Sequence, residues 1–331
     1  TATKGKGGSI SITVGTGNTI AGGVLTLRAG ATTTAGAAES GGHVFVKTGL
    51  SEVHTGGFMS LFTGQGLATS SGSIVVKTTN AGTNGVSGHL TFSSGTTSSG
   101  SSGELKVGTG TATKGKGGSI SITVGTGNTI AGGVVTLSSG EGEADGGTIS
   151  VIGGKSAAGD SNDGGFVNIA GGLSVAGTGG HISLTSGAGT ATSTGLIKIS
   201  TPNAGTNGVS GHLTFSSGTT SSGSSGELKV GTGTATKGKG GSISITVGTG
   251  NFAAGGVVTL SSGQGAGAGG ALSVTSGQGD SAAGGAISVT AGQGQTNGGG
   301  LSVIGGKSAA GTNDGGFVNI AGGLSVAGTG G

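Results

Sequence analysis

Apolar residues recur along the chain in pairs one residue apart. Each pair is opened by glycine and followed by a glycine-rich turn, in the form (G/S)G-x-Φ-x-Φ-x-x-G with Φ apolar. Twenty-one such units can be placed. Their first Φ residues run from Ile10, Leu25 and Val44 through Leu105, Val135 and Ile182 to Leu301 and Val318, mostly 15 residues apart. The residue between the two Φ positions is Ser or Thr in 14 of the 21 units, as at Ser11, Thr26, Thr91, Thr136, Ser183 and Ser302. This is a period of two. Successive Cβ atoms of extended chain point to opposite faces, so each unit predicts a short β-strand with one apolar and one hydroxyl face, bounded by Gly-rich turns. Helix is disfavoured by the glycines and by the β-branched Val, Ile and Thr.

One such strand cannot bury its apolar face, and the expectation is therefore an all-β fold, a parallel β-solenoid of about 21 short coils with a repeat of about 15 residues. Residues 1–331 would then form a single continuous repeat array. Strands at roughly 4.8 Å spacing would make it on the order of 100 Å long. Two buried aliphatic side chains would contribute roughly 3–6 kcal/mol per unit before chain entropy is subtracted. One unit per coil is preferred over two, because neighbouring units do not alternate consistently. Antiparallel meanders are disfavoured by connections of about eight residues, longer than usual hairpin loops.

Composition narrows the class. Glycine supplies 88 of 331 residues, charged residues only 8%, and Cys, Trp and Tyr are absent, so any core must be thin and regular. The mean hydropathy of +0.18, with few charges, is unlike a disordered chain. The formal charge of +3 comes from 14 basic and 11 acidic residues spread along the chain, and no basic run carries interleaved aromatics, which argues against nucleic-acid binding. No run of about 18 apolar residues predicts a membrane span. Without Cys there is neither disulfide nor thiolate metal site.

Longer duplications overlie the short repeat. The 46 residues beginning at Thr83 return unchanged at Thr206, and the portion TATKGKGGSISITVGTGN also begins at Thr1. IGGKSAAG followed by NDGGFVNIAGGLSVAGTGG occurs from Ile152 and again from Ile304. Both termini fall inside such blocks, and no polar cap of changed composition is visible. The expectation is a chain that continues, or whose ends dock onto other copies.

Candidate chemistry is sparse. His43, His89, His181 and His212 occupy the position before a first Φ, which also holds Ser, Glu, Val, Ala and Phe, and neither they nor His54 have zinc-site spacing. Asp160, Asn162 and Asp163 in GDSNDGG, with Asp314 in the second copy, offer calcium-type oxygens, but an organising calcium array would need an Asp in every repeat. GGKS at Lys155 and Lys307 lacks the upstream glycine of a phosphate loop, where Ile149 and Leu301 stand instead. The GxGxxG match at Gly265, Gly267 and Gly270 has no predicted helix after it. Lys4, Lys6, Lys114, Lys116, Lys237 and Lys239 in KGKGG turns are suited to solvent, with acidic glycans or a neighbouring chain's Glu as the functional alternative. Phe45, Phe58, Phe62, Phe166, Phe252 and Phe317 fall outside the apolar pairs, either as lateral contacts or turned inward by bulges. No nucleophile stands beside a base and an acid, so no catalytic, cofactor-binding or metal residue is assigned and no enzyme is expected.

The repeating unit, with turns such as SSGTTSSGSSG, resembles the glycine/serine/threonine-rich β-solenoid repeats of large cell-surface fibre proteins, including adhesin stalks and extracellular filament proteins of microalgae and other microbes. That resemblance implies an extracellular or cell-surface location. It also implies a structural role, forming or coating a filament by self-association, with other fibre subunits or glycans as further partners. An adhesin stalk is the alternative. An ice-binding protein is a third reading, raised by the Ser/Thr face but opposed by Lys106, Lys198, Lys229, Asn168, Val75 and Phe45 within it.

Overall fold

The computed structural model describes residues 6–19, 21–33, 40–128, 131–156, 163–252, 254–309, 314–324 and 331. Two contact-defined units divide the chain, Thr1–Asn168 and Ile169–Gly331. In the first, bends recur at residues 52–54, 67–69, 98–100, 113–115 and 143–145; in the second, at 175–177, 190–192, 221–223, 236–238, 266–268, 280–282 and 295–297. This cadence reproduces the 15-residue sequence period. Between bends the chain is extended, and the Φ-x-Φ pairs lie on these stretches.

Side chains alternate as a period of two requires. Twenty of the 21 first-Φ residues are 44–62% exposed, Ile10 being the exception at 93%, whereas residues of opposite parity such as Val24, Phe166 and Leu196 are 84–89% exposed. The six Phe residues outside the pairs point outward. Bulges that would turn them inward are not present.

The β-solenoid expected from the sequence is not formed. Among the described residues there is no helix and no β-strand, and hence no sheet. The reason lies in how consecutive segments meet. In a parallel coil of 15 residues, Gly23 should lie over Gly8; instead its N–H donates to the carbonyl of Gly15, at the end of the preceding segment, at 3.1 Å. The same closure joins Gly57 to Gly49 (3.0 Å), Gly72 to Gly64 (3.1 Å), Gly180 to Gly172 (2.8 Å), Gly195 to Gly187 (2.9 Å), Gly285 to Gly277 (2.9 Å) and Gly299 to Gly292 (2.8 Å). Most units are thus an extended apolar segment followed by a loop whose neck is a glycine–glycine hydrogen bond; the loops after Phe92, Val107, Phe215 and Val230 carry no such bond. The necks resemble the mouth of a wide hairpin, but no ladder follows from them among the described residues.

Close approach at the necks explains why glycine is needed there. A Cβ on Gly180 would lie 2.8 Å from the Gly172 nitrogen, and one on Gly165 would lie 2.9 Å from the Gly154 nitrogen. Valines fill the mouths of three equivalent loops: a Cβ on Gly133 or Gly256 would touch Val124 or Val247 at 3.4 Å, and one on Gly23 would overlap Val14. In the duplicated loops, Gly100 and Gly223 both have φ of +106°, a conformation that L-residues rarely adopt.

No described side chain is buried, and the described residues form no core. The accessible surface is 32364 Å². A folded monomer of 29.9 kDa would expose about 11,700 Å² and its extended chain about 43,400 Å². The chain therefore conceals roughly a third of what a globular fold of its size would conceal.

Candidate functional site

The loops hold most of the polar groups singled out in the sequence, and local bonds shape them. Thr109 and Thr232 stand at equivalent places before the KGKGG turns. Their Oγ1 hydroxyls donate across the loop to the carbonyls of Gly118 (3.2 Å) and Gly241 (3.3 Å). Lys114, Lys116, Lys237 and Lys239 are carried outward on these loops, and Lys6 is likewise exposed. Lys4 lies outside the described residues. In the SSGTTSSGSSG loops, Thr97 Oγ1 donates to the Ser99 carbonyl at 3.0 Å and accepts from the Ser99 N–H at 3.3 Å. Thr220 and Ser222 repeat the arrangement at 2.9 and 3.3 Å.

Histidines are not brought together. His43 sits beside Phe45 with ring centroids 5.8 Å apart, and the His54 backbone N–H donates to Ser51 Oγ at 3.0 Å. Among the described residues, no group of three or more His, Cys, Asp or Glu side chains has a metal-holding arrangement. Asp163 and Asp314 are exposed in their loops, whereas Asp160 and Asn162 lie outside the described residues. Lys155 and Lys307 of the GGKS strings enter loops whose necks are Gly165 to Gly154 and Gly316 to Gly306, both 2.8 Å, and among the described residues no helix presents a phosphate cradle. Gly265, Gly267 and Gly270 likewise form a loop, its neck being the Gly270 to Gly263 bond of 2.9 Å. No cavity is found among the described residues, and they include no helix long and apolar enough to cross a membrane.

Two ion pairs belong to none of the motifs named above. Lys106 Nζ lies 3.5 Å from Glu104 Oε1, and Lys229 Nζ lies 3.5 Å from Glu227 Oε2 in the duplicated segment. Residues i and i+2 of an extended chain share a face, so each pair flanks a leucine, Leu105 or Leu228, that points the other way. The sequence signal was opposite charge at i and i+2 around an apolar residue. Read from the sequence alone, each is only a lysine interrupting the hydroxyl face.

What the arrangement offers chemically is surface. Apolar pairs are displayed at regular intervals on extended backbone, with hydroxyls, lysines and glycine loops between them. A search of protein-family models, curated proteins and solved structures gives no match to this chain.

Proposed function

We propose that this chain is a structural, non-catalytic protein that forms or coats an extracellular filament by associating with further copies of itself. One observation carries the reading: the apolar pairs of all 21 units stand exposed, mostly at 15-residue intervals, and no described residue supplies a core to cover them. Fully burying one Val, Leu or Ile side chain contributes about 1.5–3 kcal/mol. A periodic array of them on a nearly uncharged chain favours association, because contiguous exposed apolar surface marks interaction sites. Stacking of solenoid coils is not part of this mechanism. Likeness in composition and period to repeats of cell-surface fibres supports the extracellular placement.

Self-association is favoured over the ice-binding alternative, whose ordered hydroxyl ladder would need strands, and none stands among the described residues. Sedimentation velocity of the full chain over a concentration series, followed by electron microscopy, tests the proposal. Elongated assemblies that grow with concentration are expected; a chain that stays monomeric up to high concentration would refute it.

A further inference from the structure

Resting on the self-association reading, the Glu104–Lys106 and Glu227–Lys229 pairs specify how copies meet. We infer that the segments GELKV at Gly103–Val107 and Gly226–Val230 are self-complementary docking edges, each pairing antiparallel with the same segment of a second copy of this chain.

Charge geometry selects that partner and that direction. An antiparallel pair centred on Leu105 sets Leu105 against its own counterpart. It puts Glu104 opposite Lys106 of the second copy and Lys106 opposite its Glu104. Directly opposed residues in such a pair have Cβ atoms about 4.5–5.5 Å apart, close enough for both charge pairs to interact. Together with the 3.5 Å pair already present in each chain, this closes a ring of four alternating charges. A parallel, in-register pairing would oppose Glu to Glu and Lys to Lys. A parallel pairing shifted by two residues would satisfy only one of the two pairs.

Backbone and packing agree with the charges. The N–H and C=O groups of Gly103–Val107 make no hydrogen bond within the chain, so the edge is open. Leu105 and Val107 are exposed, and Gly103 opposite the second copy's Val107 leaves that side chain room. The segment Ser101–Gly110 is repeated without change at 224–233. Each chain accordingly has two equivalent two-fold edges, and two per chain allow open-ended growth where one would stop at a dimer.

Charge exchange in the full chain tests this. Glu104→Lys with Glu227→Lys gives Lys-Leu-Lys edges, and Lys106→Glu with Lys229→Glu gives Glu-Leu-Glu edges. Each variant alone should need about tenfold more protein to assemble, an equimolar mixture should regain the parent's behaviour, and the fourfold swap that reverses both pairs should assemble like the parent. The Glu-rich variant decides between edge pairing and general repulsion: two Lys→Glu changes take the formal charge from +3 to −1, which lowers repulsion between chains while destroying the edges. Zero-length carbodiimide cross-linking of mixed light and isotope-labelled chains should join Glu104 of one copy to Lys106 of another. Single variants that assemble like the parent, or a mixture that fails to recover, would overturn the docking edges while leaving self-association intact. A parent chain that never assembles would overturn both.

Discussion

The Gly23 N–H is held on the Gly15 carbonyl at 3.1 Å, eight residues back rather than fifteen, and a contact of this type closes most of the loops. It returns the chain to the end of the segment just completed, so the next segment cannot lie in register on the previous one. Repeated along both units, it converts a sequence with strand periodicity into extended segments separated by closed glycine loops.

The loop necks should be asymmetric towards alanine. A Cβ on Gly180 meets the Gly172 nitrogen at 2.8 Å, while one on Gly172 meets nothing within 4 Å. Gly180→Ala should open the loop at a cost of about 1 kcal/mol, the worth of the neck bond, with roughly fivefold faster exchange of the residue 180 amide. Gly172→Ala should leave it closed. Hydrogen exchange by NMR distinguishes the two.

Thr109→Val removes the hydroxyl that bonds the Gly118 carbonyl while keeping the side-chain shape. Trypsin cleavage after Lys114 and Lys116 should accelerate about two- to tenfold, and Thr109→Ser should restore the parental rate. Thr232→Val should act in the same way on Lys237 and Lys239 only.

Gly100→Ala and Gly223→Ala place a side chain at φ +106°. Each should cost about 1 kcal/mol locally and release the Ser99 or Ser222 N–H from its threonine hydroxyl. NMR shifts of those two amides report it, with the rest of the spectrum unchanged.

Leu90→Ser with Leu213→Ser removes one first-Φ residue from each copy of the long repeat. Because both leucines are exposed in the single chain, its own stability should hardly change, whereas assembly should weaken by at least about tenfold. Leu173→Ser, in a loop, should have little effect. Sedimentation of the three proteins side by side provides the comparison.

Local features of this structure were legible in the sequence because they depend on local sterics. Alternation across a unit follows from the backbone itself, and Ile74, Val75 and Val76 show it without any sheet. The 15-residue cadence appears as recurring bends. Partnership between segments was not legible, since a period of two says which face is apolar and nothing about what covers it. Leu173-Ser174-Val175 illustrates the limit: it satisfies the Φ-x-Φ pattern but falls in the loop closed by Gly180 and Gly172, with both apolar side chains fully outward. The Glu104–Lys106 pair was visible as residues but not as a unit, because its meaning requires knowing that the backbone there is extended and unpaired.

Amide hydrogen exchange, recorded on the dilute chain shown by sedimentation to be monomeric and again after assembly, reports whether the apolar segments are covered within one chain or only between copies. Exchange should be rapid at Ile182, Leu184, Ile197 and Ile199 in the monomer, with protection of those amides only once copies associate. Cooperative protection of the same amides in the monomer, with a β-sheet infrared signal, would contradict this.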